Sequence, residues 1–326
     1  MLNAAIIGMG RWGQTLVNSV QGRNGAGIRF VAGATRSPDK ARAYAAEKGI
    51  ALLDSYEAVL ARPDVQAVAL ATPHAQHAEQ VIAAAAVGKH VFVEKPFTLT
   101  KASAEAAVDA CGRAGVVLAL GHNRRFLPAV AEMKAMLAAG RLGTLLHVEG
   151  QFSGPGGFDY KPGGWRADRA ESPLGGMGGM GIHMVDMIIH LAGRFQDVRV
   201  LSHARVLPTI DDTTAMLARL ASGATVTFAT LAASPRFWRV ALFGTEGILE
   251  LRGHEQLFFR ARQGGEEWVR DFPPTDIEAA ELEAFAAAVA GGPAYPLPVD
   301  EAIHGVSVFE TMIQAATAGS AYAVPG

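Results

Sequence analysis

The run Gly8-Met9-Gly10-Arg11-Trp12-Gly13 is a G-x-G-x-x-G, and its chemistry depends on what flanks it. It follows the apolar segment Ala4-Ala5-Ile6-Ile7 and opens Gln14–Val20, which has helical spacing. It therefore reads as the strand-to-helix turn of a dinucleotide site. Gly8 permits the tight turn, Gly10 lets the backbone approach a pyrophosphate, and Gly13 lets helix and strand pack closely. The helix N-terminus offers amide donors to the anion. Arg11 and Trp12, inside the run, belong to the expected cofactor lining. The alternative is a glycine-rich turn that holds no ligand.

A second group sits at the end of the next apolar run, Ala34-Thr35-Arg36-Ser37. Enzymes that use NAD usually place a carboxylate there for the ribose 2′-hydroxyl. Here Thr35 takes that place, Arg36 can pair with a 2′-phosphate, and the Thr35 and Ser37 hydroxyls can hydrogen-bond it. NADP(H) is thus favoured over NAD(H). The competing reading makes Arg36 a solvated residue and Ser37 the cap of a helix that begins at Pro38. A third group, His183, Asp186 and His190, falls on one side of a helix at i, i+3 and i+7. Three metal ligands at that spacing would need a supporting shell, and no metal is expected. Met177, Met180, Met184 and Met187 read as a packed helix face.

The elements that must position these groups change character near residue 122. From residue 3 onward, short apolar runs alternate with Ala-rich helical segments, in βαβα order. Apolar runs without polar alternation indicate strands buried on both faces of a parallel sheet, the doubly wound α/β arrangement. After residue 123, a helix near 128–139 is followed mainly by strands at 144–153, 197–206, 213–220, 223–231, 236–243 and 254–260. A largely antiparallel sheet fits this part. Helices are expected at 180–191, 276–290 and 299–318, and a Gly/Pro-rich loop at 154–176. The division expected is 1–122 for a Rossmann domain that binds the dinucleotide. Residues 123–326 then form an α+β domain for substrate binding and oligomerisation.

The segment Gly88-Lys89-His90-Val91-Phe92-Val93-Glu94-Lys95-Pro96 resembles the G-K-H-V-x-x-E-K-P signature of the Gfo/Idh/MocA oxidoreductase family. Thr72-Pro73-His74 with His77 is similar to its T-P-N-x-x-H, Asn123-Arg124-Arg125-Phe126 to its R-R-F/Y, and Gly164-Trp165-Arg166 to its W-R loop. Gly181-Ile182-His183-Met184-Val185-Asp186 resembles G-x-H-x-x-D, and Gly244-Thr245-Glu246-Gly247 resembles G-T-E-G. The similarity runs along essentially the whole chain.

The resemblance implies hydride transfer between a nicotinamide and a sugar, cyclitol or related polyhydroxylated carbonyl or alcohol. It implies that Lys95 hydrogen-bonds cofactor and substrate after a cis Lys95–Pro96 bond, and that His183 relays a proton at the reacting oxygen. It assigns Thr72, His74, Glu94, Lys95 and Arg124 to the cofactor site, and Lys95, Asn123, Tyr160, Trp165, Arg166 and His183 to the substrate site. Two positions depart from the pattern. His74 replaces an Asn, and Gly179 stands where many catalytic members carry Asp four residues before the histidine. Asp186 is a substitute orienting partner for His183, although in the family it reads as structural. Gly179 also keeps open a non-catalytic dinucleotide-binding sensor, and lyase or hydrolase chemistry through transient oxidation remains a third reading.

The whole chain is consistent with this. At 326 residues it is long for one core. Its 29 Lys and Arg nearly balance 31 Asp and Glu, so no broad field recruits nucleic acid or an anionic membrane. No spanning segment is expected, and the single cysteine, Cys111, cannot form an internal disulfide. The expected protein is soluble, cytoplasmic, and a homodimer or homotetramer assembled through the sheet of the second domain.

Overall fold

The computed structural model describes residues 1–161, 163–318 and 322–324. The chain divides into two compact units, Met1–Asn123 with Asp276–Val299, and Arg124–Thr275 with the residues from Asp300 onward. The expected single cut at 122/123 is therefore modified. Residues 276–299 return to the first unit, and Asn123 stays with it.

The first unit is built on β1 (Leu2–Ile7), β2 (Ile28–Ala34), β3 (Ala51–Leu53), β4 (Ala67–Leu70), β5 (His90–Val93) and β6 (Leu118–Leu120). These strands form a six-stranded parallel sheet in the order β3-β2-β1-β4-β5-β6. All of β4 and nearly all of β1 is buried, as a sheet covered on both faces requires. The helices between the strands are α1 (Arg11–Val20), α2 (Pro38–Lys48), α3 (Tyr56–Leu60), α4 (His77–Ala86) and α5 (Lys101–Ala114). Local chemistry sets their ends. Proline opens α2 and Gly49, at φ +67°, closes it; Thr100 caps α5 and Gly115, at φ +65°, ends it. A short 3₁₀ turn, His74–Gln76, precedes α4. Burying side chains such as Ile6, Leu16 and Phe92 contributes about 1.5–3 kcal/mol each.

The second unit holds α6 (Pro128–Ala138), β7 (Leu145–Ser153), α7 (Ile182–Ala192), β8 (Phe195–His203), β9 (Thr213–Leu220), β10 (Thr225–Leu231), β11 (Phe237–Gly244), β12 (Gly247–Arg252), β13 (Gln256–Ala261) and β14 (Glu267–Asp271). The segment returned to the first unit carries α8 (Ile277–Val289), whose Phe285 packs on Phe92 of β5 at 6.0 Å between ring centroids. Its Glu283 accepts the Gly27 N–H at 2.8 Å. Finally α9 (Val299–Ala318) and the two-residue β15 (Tyr322–Ala323) close the chain.

Nine strands make the second sheet, in the order β14-β13-β12-β11-β7-β10-β9-β8-β15. Pairing is antiparallel except between β7 and β10. Strict alternation of buried and exposed residues in β9 shows one covered face. Helix α7 covers β7 closely: a Cβ on Gly150 would lie 2.7 Å from Met184 Cγ. Met177, Met184 and Met187 are fully buried, so the methionine spacing is a packed face. The opposite face exposes Leu201 and Leu217 around an open depression of about 620 Å³. No described helix is long and apolar enough to cross a membrane.

Candidate active site

The ends of β1, β2 and β4 meet at Gly8. Its φ is +91°, its N–H donates to the Ala34 carbonyl at 2.9 Å, and a Cβ there would overlap the Ala71 carbonyl oxygen. A Cβ on Gly13 would overlap the carbonyl oxygen of Gly8. Only glycine fits either place. Gly10 differs, because nothing lies within 4 Å of where its Cβ would be. It caps α1, whose first turn carries no acidic residue. Open space, the first-turn amide donors and a positive helix end together fit an anionic pyrophosphate. Arg11 is exposed beside this space, and Trp12 is half-buried with its indole N–H unpaired.

Past β2, Thr35 is half-buried while Arg36 and Ser37 are exposed. Ser37 holds the N-cap position of α2 but makes no side-chain cap bond, so its hydroxyl is not spent on the helix. The nearby carboxylate of Asp39 is engaged by Arg42 at 2.9 Å.

The ends of β4 and β5 carry the next groups. Thr72 donates its hydroxyl proton to Gln80 Oε1 at 2.6 Å, and His74 is buried edge-on to His77. The His77 ring lies between Thr72 O, 3.1 Å from Nε2, and the carbonyls of Pro96 and Phe97, 3.0 and 3.2 Å from Nδ1. Burial holds its pKa down, with Lys95 adding to that, while the three carbonyls pull upward. His77 thereby ties the Thr72 loop to the turn that carries Lys95.

In that turn the Lys95–Pro96 bond is cis, as the resemblance implies. The Lys95 ammonium lies 5.9 Å from the centre of the Trp12 ring, which sits in the glycine turn. Glu94 is buried at 4% exposure, in space left by Gly121, whose Cβ would stand 2.8 Å from Glu94 Oε1. The Lys95 N–H donates to Glu94 Oε2 at 3.3 Å. The Trp12 indole faces the same carboxyl without completing hydrogen-bond geometry. Burial pushes the Glu94 carboxyl up to about 7, against the opposing pull of the Lys95 ammonium. Asn123, also in this unit, is buried and donates to Glu278 Oε1 at 3.0 Å.

In the second unit, the Arg124 guanidinium stacks 4.6 Å over Phe152, whose ring centre lies 6.0 Å from that of His183. Phe152 therefore links two residues that the sequence places 59 positions apart, Arg124 and His183. Arg124 also helps burial push the His254 pKa down to about 4. His183, at 3% exposure, follows a π-helical turn, Met177–Gly181, that opens into α7. Asp186 is held by Arg125, at 2.7 Å from its Nη2 and 3.0 Å from its Nε, and Arg125 also pairs with Glu301 at 2.7 Å. That engagement fits the structural reading of Asp186. Among the described residues, no group of three His, Cys, Asp or Glu that could hold a metal ion occurs. Trp165 and Arg166 stack on one another at 4.1 Å in a 3₁₀ turn, Trp165–Ala167.

The structure thus gathers Gly8, Gly10, Gly13, Trp12, Thr72, Glu94 and Lys95 at the carboxyl ends of the parallel strands, where open α/β sheets place ligands. Sequence reasoning gave no role to His77 and overlooked Phe152, Gln80 and Glu278. His77 carried a usable signal, since it closes the Thr72 motif; an aromatic near a strand end looks like any core residue.

Comparison with known proteins agrees with this geometry. The family model described as "Oxidoreductase family, NAD-binding Rossmann fold" matches residues 2–122, and the "GFO/IDH/MocA C-terminal domain" matches 130–250. The chain is 30% identical over 315 residues to scyllo-inositol 2-dehydrogenase (NAD(+)) of Bacillus subtilis, covering 89% of this chain and 87% of that enzyme. It is 33% identical over 147 residues to levoglucosan dehydrogenase of Pseudarthrobacter phenanthrenivorans, covering 45% of this chain but only 38% of that enzyme's length. An oxidoreductase of Desulfitobacterium hafniense described as NADPH-dependent shares the fold, with a TM-score of 0.91, 23% identity and coverage of 99% and 97% of the two chains. The chain belongs to the Gfo/Idh/MocA family of oxidoreductases, with a nicotinamide dinucleotide site in its Rossmann unit.

Proposed function

We propose that this enzyme is NADP(H)-dependent and acts on a sugar, cyclitol or related polyhydroxylated alcohol or its carbonyl partner. The observation that carries the reading is the Trp12–Glu94–Lys95 cluster, which sets a cation beside the glycine cradle. When bound there, the dinucleotide supplies or accepts a hydride at C4 of its nicotinamide.

The chain's own residues do the rest. The cradle of Gly8, Gly10 and Gly13, with the α1 N-terminus, holds the pyrophosphate, and Arg11 adds positive charge. Thr35, Arg36 and Ser37 take the 2′-phosphate; the Ser37 hydroxyl, which makes no cap bond, and Thr35 in place of a carboxylate at the end of β2 support this. The NAD(+) in the name of the Bacillus relative weighs the other way. Thr72, His74, Glu94 and Arg124 line the cofactor. Lys95 donates a hydrogen bond to the reacting oxygen, and His183 carries the proton to or from it. Asn123, Tyr160, Trp165 and Arg166 bind the hydroxyls and ring face of the substrate. The open sheet face, with Leu201 and Leu217 exposed, supports assembly into a homodimer or homotetramer.

The test is turnover of a panel of polyols, cyclitols, aldoses and anhydrosugars with each dinucleotide. Lys95→Ala and His183→Asn variants should lose about 10²–10⁴-fold in kcat. Dinucleotide binding without turnover of any panel member would instead support the sensor reading.

A further inference from the structure

Position 179 carries no side chain, yet its surroundings are built. Gly179 lies in the π-helical turn that leads into α7, four residues before His183, so both lie on the same side of adjoining turns. Such turns are recurrent features of functional sites. The nearest atom to the place a Cβ of residue 179 would occupy is the hydroxyl oxygen of Tyr160, at 3.6 Å. A side chain added there would enter space that this phenol already faces.

Tyr160 is held where it is by packing. Its ring lies against the buried cluster of Leu207, Ile210 and Ala232, together with Met180 from the same π-helical turn. Its segment is pinned by the Gly157 N–H, which donates to the Ala232 carbonyl at 2.8 Å. Gly157 is required for that approach, since a Cβ would stand 2.6 Å from the Ala232 oxygen and would overlap Leu207. The result is a rigid aromatic with an apolar body and a polar tip, half-buried, at the head of a helix whose His183 is buried.

We propose that the Tyr160 hydroxyl is the positioning and relay group for His183, in the place a carboxylate at 179 would fill. This rests on the reading of His183 as the proton-transfer residue. A phenol both donates and accepts a hydrogen bond and stays uncharged near neutrality. It therefore orients the imidazole and the reacting hydroxyl without stabilising the imidazolium, as an anionic carboxylate would. Arg124 reaches His183 through Phe152, and Asp186 stands one turn further along α7, engaged by Arg125. Neither changes in the variants below.

The experiment compares Tyr160→Phe, Tyr160→Phe/Gly179→Asp and His183→Asn on a substrate the wild type turns over, with thermal unfolding as a control for folding. Phenylalanine keeps the packing against Leu207 and Ile210 and removes only the hydroxyl. Tyr160→Phe should lower kcat about 10²-fold. The double variant should recover at least about tenfold, with the acidic limb of its kcat–pH profile moved up by about one unit. An active His183→Asn would sink the His183 reading itself. An inactive His183→Asn beside a fully active Tyr160→Phe, or a loss that Gly179→Asp neither rescues nor shifts in pH, would overturn the Tyr160 proposal alone.

Discussion

Replacing Glu94 by Gln should stabilise the free protein in a pH-dependent way. The Glu94 carboxyl is buried, and its pKa is raised from 4.5 to about 7 by that burial, even against the attraction of Lys95. A raised acid in the folded state favours folding below its unfolded pKa and loses that contribution as pH rises through the folded one. At about 1.4 kcal/mol per pH unit, a rise from 4.5 to about 7 makes the ionised carboxyl cost on the order of 3 kcal/mol above neutrality. Near pH 5 the cost is only about 1 kcal/mol. Glu94→Gln keeps the shape and cannot ionise. Urea unfolding of both proteins from about pH 5 to 8.5 should therefore show curves that converge in acid and separate in base, with the variant more stable. Equal stability across that range, or a variant less stable at high pH, would refute the argument. The second result would mean that the Lys95 ion pair outweighs desolvation.

Three further outcomes follow from the packing. Gly13→Ala places a Cβ onto the Gly8 carbonyl oxygen, so it should destabilise by about 1–3 kcal/mol and abolish dinucleotide binding, read by urea unfolding and nicotinamide fluorescence. Arg125→Ala strands Asp186 in a buried site and should cost about 3–5 kcal/mol in chemical unfolding. Phe152→Leu removes the stack under Arg124 and beside His183; it should lower kcat about tenfold while thermal unfolding moves by only a few degrees.

The long, periodic elements were legible in the sequence. His90–Val93, Lys101–Ala114 and Val299–Ala318 lie where apolar spacing and caps put them. β12 (Gly247–Arg252), six residues alternating in burial between the strands expected at 236–243 and 254–260, escaped as well; what else escaped was short or depended on distant chain. β3 has three residues, and β14 is largely exposed at a sheet edge, so neither leaves a pattern of burial. The return of α8 to the first unit rests on Phe285 meeting Phe92, which no local period encodes. The same holds within the site. Glycine spacing announces Gly8 and Gly13, because a turn has one local solution. That Tyr160 faces residue 179 follows from a Gly/Pro-rich loop folding back on Ala232, a contact of 75 positions between Gly157 and Ala232.

Direct hydride transfer by this chain is tested by incubating the enzyme with NADPH deuterated at C4 and the ketone form of an accepted polyol, then reading the product by mass spectrometry and NMR. One deuterium on the new carbinol carbon is the predicted result. Reduction that leaves that carbon unlabelled by either C4 epimer, or no reduction of any polyol-derived ketone while NADPH binds, would contradict it.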